Sequence, residues 1–146
     1  MKVNDDPIII EQFFNSPIDS VWNAISNVEE MRKWFFDNVP EFKPEVGFKT
    51  QFNVKSEDRN FLHSWKVIEV IPNNLLKYNW SYEDYDGDSN VIFELTEENN
   101  RTKLKLSHEI LEDFPEDIPE FKRESCIGGW TYFINNRLKE YLENKK

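Results

Sequence analysis

The stretch PEFKRESCIGGWTYFINNRLKEYLENKK (119–146) decides the fold. Ile127, Trp130, Ile134, Leu138 and Tyr141 recur in it at steps of three and four residues, which lines them up on one side of an α-helix over 119–146. Almost everything from about residue 44 to 110 reads as strand. A lone apolar helix that follows a run of strands has one surface on which to bury its stripe, the face of their sheet. Both facing surfaces are rich in Trp, Phe and Tyr. Rings of that size between a curved sheet and a helix either fill a core or line a cavity, and the two outcomes imply different functions.

Working back from the helix, residues 102–110 alternate Thr102, Leu104, Leu106, His108 and Ile110 against polar neighbours. Residues 89–96 place Val91, Phe93 and Leu95 on one face, and 75–82 do the same for Leu76, Tyr78, Trp80 and Tyr82. A strand over 60–71 ends at the turn Pro72-Asn73-Asn74. A strand over 45–54 carries Val46, Phe48, Thr50, Phe52 and Val54 together. Short turns between these segments, among them one around Asp86-Gly87, imply antiparallel neighbours with one face toward water. Ahead of them lie a strand over 7–14 and two short helices. Ser16 and Pro17 read as cap and first residue of one helix, and Asn27 as the cap of the next.

Composition limits the function. The 146 residues fit one domain, 1–146, and 12 Phe, 5 Trp and 5 Tyr exclude disorder. A net charge of -10 argues against nucleic acid and against an anionic membrane surface as partners. The start, Met-Lys-Val-Asn-Asp-Asp, shows no apolar signal segment, so the expected location is cytoplasmic. Cys126, the one cysteine, sits beside the apolar stripe and reads as a buried structural thiol. The acidic tract 109–124 reads as a solvated lid-like loop or a docking patch for a basic partner, and Gly128-Gly129 as a close approach of helix to sheet or as a bend at a cavity mouth.

The order strand, two helices, five strands, long helix resembles the SRPBCC, or START-like, superfamily. Within it the chain is similar to the branch of the activator of the heat-shock-protein-90 ATPase. The resemblance rests on Phe14-Asn15-Ser16-Pro17-Ile18-Asp19-Ser20-Val21-Trp22-Asn23-Ala24-Ile25, on Lys33-Trp34-Phe35, and on Phe42-Lys43-Pro44-Glu45-Val46-Gly47-Phe48. It continues through Val67-Ile68-Glu69-Val70-Ile71-Pro72, Leu76-Lys77-Tyr78-Asn79-Trp80, Thr102-Lys103-Leu104-Lys105-Leu106-Ser107-His108 and Gly128-Gly129-Trp130. It implies an α+β helix-grip fold, a curved antiparallel six-stranded sheet around a long C-terminal helix, with two short helices after the first strand. Members bind lipids, sterols, hormones or polyketides in the cavity, and some are cyclases or hydroxylases. The branch adds a chaperone partner and a stress-response setting.

The expected cavity wall is Trp34, Phe48, Phe52, Tyr78, Trp80, Phe93, Leu106, His108, Trp130 and Phe133. His108 shares a face with Leu104 and Leu106, so it points inward, as a hydrogen-bonded core residue, a polar anchor or a general acid/base. His63 lies on a face with Phe61 and Trp65 that sequence leaves undecided. No phosphate loop, nucleophile elbow or metal-spaced histidine pair is present, so no cofactor, no metal and no catalytic residue is expected. The leading expectation is a module that binds a small hydrophobic or amphipathic molecule, lipid-like or aromatic, with Tyr78 and His108 fixing its orientation. A chaperone-cofactor-like interaction module and a cyclase- or hydrolase-type enzyme are the alternatives, and the expected state is a monomer or weak dimer.

Overall fold

The structure is a computed structural model that describes residues 1–144. Strand β1 (Ile8–Phe14) is followed by helices α1 (Ile18–Ser26) and α2 (Val28–Trp34). Strands β2 (Lys49–Ser56), β3 (Arg59–Ile71), β4 (Leu75–Tyr82), β5 (Asp88–Glu98) and β6 (Arg101–Glu112) come next. All six form one antiparallel sheet in the order β1-β6-β5-β4-β3-β2, so the first strand closes the far edge by pairing with the last. Register irregularities at Val67/Glu69 and Asp88/Ser89 are bulges, which bend and twist a strand. They help the sheet curl around the C-terminal segment.

Local chemistry explains the boundaries. Asn99 and Asn100 both adopt left-handed backbone, φ 51 and 65, which a two-residue hairpin between right-twisted strands requires. Asn27 caps α2 by accepting from the backbone N–H groups of Glu29 and Glu30 at 3.0 and 3.3 Å. Ser16 does not cap α1. The helix begins one residue later than its sequence suggests, with extended Pro17 in the cap position, and the Ser16 carbonyl instead accepts from Thr102 Oγ1 at 2.7 Å. Strand β2 also starts late. A turn closed by Phe48 N–H on the Glu45 carbonyl, with Gly47 at φ 93, occupies its expected beginning and leaves Val46 69% exposed.

Gly87 is where a turn has no room for a side chain. Its φ is +117, and a Cβ there would run into the Phe114 ring. Gly87→Ala is expected to destabilise the fold by about 2 kcal/mol through backbone strain and displacement of that ring, read as a lowered urea midpoint. Phe114 also corrects the reading of 109–124 as a solvated loop. Strand β6 runs on to Glu112, and Phe114 and Phe121 are buried ring against ring at 5.2 Å.

The C-terminal segment is not one α-helix. A 3₁₀ turn (Pro119–Phe121) leads into α3 (Arg123–Trp130), then a wider π-helical stretch (Thr131–Leu138), then α4 (Lys139–Asn144). Residues 145–146, the end of the expected helix, lie outside the described residues. From α3 onward the buried positions are Trp130, Ile134, Leu138 and Leu142, a spacing of four. In a helix of 3.6 residues per turn, each step of four drifts by about 40° around the axis. The wider turns remove much of that drift and keep the four side chains over the sheet. Ile127 is displaced from the stripe and is 37% exposed, and Tyr141 is only half-buried where Leu142 takes the inner place.

Candidate functional site

The end of α2 fills most of the space between sheet and helix. Trp34 is fully buried, its Nε1 donating to the Ala24 carbonyl at 2.7 Å, and Phe35 stacks on it at 4.7 Å. Phe35 continues to Trp65, Trp130 and Phe133, with ring centres 4.9 to 5.7 Å away. Phe36 packs against Phe52, His63 and Phe133. Trp34 is among the ten residues expected in the cavity wall; Phe36 is not.

A hollow of about 150 Å³ remains beyond Phe36. The sheet contributes His63 of β3, Trp80 and Tyr82 of β4 and His108 of β6. Glu120, Ser125, Cys126, Gly129, Trp130 and Phe133 close it from the helical side. Of the ten residues expected to form a cavity wall, Trp80, His108, Trp130 and Phe133 border this hollow. Phe52 is one ring away, stacked on His63 at 5.1 Å. Trp34, Tyr78, Phe93 and Leu106 are core, and Phe48 is half-buried against Phe42. A Cβ on Gly128 or Gly129 would meet nothing within 4 Å, so neither glycine serves a close helix–sheet approach. At Gly129 the missing side chain leaves the hollow open.

His108 is held from both sides. Trp130 Nε1 donates to its Nδ1 at 3.0 Å, so Nδ1 carries no proton. Its Nε2–H therefore points at Ser89 Oγ, 2.9 Å away, and the Ser89 hydroxyl donates in turn to the Trp80 carbonyl at 2.7 Å. This chain ties the helix to β6, β5 and β4 with every ring nitrogen used. Burial lowers the His108 pKa to about 4, so the ring is neutral near pH 7. A neutral, doubly engaged imidazole has no valence left for proton transfer, nor for anchoring a ligand.

His63 differs. The register sets it between Phe52 and Tyr82, facing inward. Its Nδ1 lies 3.0 Å from the Phe61 carbonyl, which can only accept, so the proton sits on Nδ1. Burial lowers its pKa to about 4 and keeps Nε2 a bare acceptor. No described residue bonds Nε2. Strand parity puts His63 on one face with Phe61 and Trp65; what sequence lacks is which face of β3 looks inward. Glu120 supplies a second unused acceptor. Its Oε2 takes Ser56 Oγ at 2.8 Å and Arg59 Nη1 at 3.4 Å, while Oε1 is buried without a partner.

The remaining groups are not reactive. Burial pushes the half-buried Cys126 thiol up to about 11, far from a thiolate nucleophile at neutral pH. Tyr78 Oη and Trp65 Nε1 are buried without partners, away from the hollow's lining. Among the described residues no group of three or more His, Cys, Asp or Glu side chains could hold a metal ion. No helix among them is long and apolar enough to cross a membrane.

A six-stranded antiparallel sheet closed over a long C-terminal helix, with two short helices behind its first strand, is the helix-grip arrangement. The sequence pattern of the family described as "Activator of Hsp90 ATPase homolog 1-like protein" matches residues 15–143. The chain belongs to this family. No curated protein matches it in sequence. Among solved structures, a protein of Chromobacterium violaceum superposes with a TM-score of 0.80 at 19% identity, over 96% of this chain and 99% of that one. The Aha1 dimer of Colwellia psychrerythraea gives 0.71 at 18%, over 96% and 98%. DynU16, from the dynemicin biosynthetic locus, gives 0.76 at 24%, over 96% of this chain but 48% of DynU16, so the chain spans about half that protein. At these identities the likeness shows the fold of the Activator of Hsp90 ATPase homolog 1-like family and leaves the ligand or partner to the site itself.

Proposed function

We propose that this protein binds a small apolar or amphipathic molecule in the hollow between its sheet and C-terminal helix. One observation carries the reading: at Gly129 the helix leaves open space over a ring-lined interior that α2 does not fill. Aromatic walls supply apolar contact, and the exposed Ser125 marks the rim. The volume suits a compact molecule and not a lipid chain, because pockets for drug-sized ligands begin near about 300 Å³. Within the expected ligand class, the aromatic option is the one that fits. An acid/base enzyme built on His108 is disfavoured, since both its ring nitrogens are spent.

Titration of the native protein with toluene, followed by tryptophan fluorescence, is expected to saturate, because Trp80 and Trp130 border the hollow. Gly129→Leu fills the open space from a helical position that favours leucine over glycine, so the fold is retained while affinity falls at least about tenfold. Circular dichroism checks the fold. A native protein that shows no saturable response to any small arene would remove this reading.

A further inference from the structure

The polar atoms around the hollow narrow the ligand further, on the basis of the binding reading above. Its volume, about 150 Å³, is that of a cavity that takes one benzene ring. Its walls offer faces and edges of Trp80, Trp130, Phe36 and Phe133, the surroundings in which a flat rigid ring makes offset and edge contacts at little entropic cost.

Most donors at the hollow are already used. Trp130 Nε1–H is spent on His108, His108 Nε2–H on Ser89, Trp80 Nε1–H on Tyr82 Oη at 2.9 Å, and Ser125 Oγ–H on the Pro119 carbonyl at 2.9 Å. The acceptors are not. His63 Nε2 has a lone pair and no partner among the described residues; Glu120 Oε1 is unpaired too but presents almost no surface to the hollow. An occupant that brought only acceptors would set lone pair against lone pair, and a purely apolar one would leave His63 Nε2 unsatisfied. The Tyr82 hydroxyl accepts from Trp80, and no described residue takes its proton. A hydroxyl, which donates once and accepts once, matches the bare His63 Nε2 and the unused Tyr82 O–H; the two residues are neighbours across β3 and β4, with their rings in edge contact at 4.8 Å.

We propose that the hollow takes a single-ring phenol, its O–H donated to His63 Nε2. His63 thereby becomes the specificity-determining residue, in the place sequence reasoning gave to His108 and Tyr78.

Phenol and toluene are close to isosteric and differ in the donor, so the test compares their affinities in the native protein and in His63→Phe. The phenylalanine keeps a ring against Phe52 and removes the acceptor. The phenol-to-toluene affinity ratio is expected to fall about tenfold in the variant, the effect of one buried hydrogen bond. An unchanged ratio would overturn the proposal while leaving the cavity reading intact. Failure of both arenes to bind the native protein would overturn the cavity reading, and this inference with it. ¹⁵N NMR of the native protein is independent of whether the variant folds. The His63 Nε2 resonance is expected to move upfield with phenol and stay in place with toluene; no movement with bound phenol would equally overturn the assignment.

Discussion

Trp130→Ala is expected to destabilise the fold by about 4 kcal/mol, the range for deleting a buried tryptophan from a packed interior. Trp130 is 5% exposed and lies within ring-contact distance of Phe35, Trp80 and Phe93. The more telling variant is Trp130→Phe. It keeps a ring and removes the Nε1–H, so His108 Nδ1 is left buried with no donor for its lone pair. Stranding that acceptor costs about 1–3 kcal/mol beyond the lost volume. Trp130→Phe combined with His108→Leu removes both ends of the bond and is expected to recover part of that loss: the stranded Nδ1 is gone, and Ser89 Oγ, which loses the N–H it accepted, keeps its own bond to the Trp80 carbonyl. Urea denaturation of the three variants reads the difference. A Trp130→Phe protein as stable as the native one would show that the bond does not contribute to holding helix to sheet.

The architecture was legible because its signals are periodic. Alternation in 75–82 and 102–110 matches β4 and β6 closely, and the element order implied the sheet and its covering helix. What sequence could not carry were quantities set by tertiary distance. The spacing of Ile127, Trp130 and Ile134 suggested a regular α-helix, yet the sheet selects a stripe at intervals of four and the backbone widens to follow it. The interior was expected to be either core or cavity. It is mostly core because Phe35 and Phe36, two residues past the end of α2, reach across to Trp65, His63 and Phe133. A helix terminus that aims two rings inward has no periodic signature. His108 was placed on the inner face by parity, but its satisfaction by Trp130 and Ser89 depends on three elements meeting. His63 was visible as a residue and ambiguous as a site, because a strand's pattern gives two faces and only packing says which one is dry.

Acid should weaken this fold well before its carboxylates titrate. His63 and His108 are both buried with pKa values lowered from 6.5 to about 4. Below pH 6.5 the unfolded chain takes up a proton at each site, while the folded chain does not until about pH 4. Each histidine therefore contributes stability that is fully present above pH 6.5 and is lost as pH falls through the window between the two values. The slope is about 1.4 kcal/mol per pH unit per site, so going from pH 7 to pH 5 removes about 2 kcal/mol for each. Burial alone lowers the His108 pKa; its ring meets Trp80, Trp130 and Ser89, and Glu120 borders the same hollow. At His63 the rings of Phe36, Phe52, Trp80 and Tyr82 surround the imidazole, and Glu120 is the one acid that shares its hollow. A protein with a net charge of -10 also gains stability in acid as its carboxylates neutralise, but most of that lies near pH 4. Urea midpoints at pH 7, 6 and 5 separate the two effects. They are expected to fall steadily, and His63→Phe is expected to remove about half of the fall, since the sites are independent. Midpoints that stay level from pH 7 to pH 5 would mean that one or both imidazoles accept a proton inside the folded protein. In that case Nε2 of His63 could not serve as the bare acceptor on which recognition of a phenol depends.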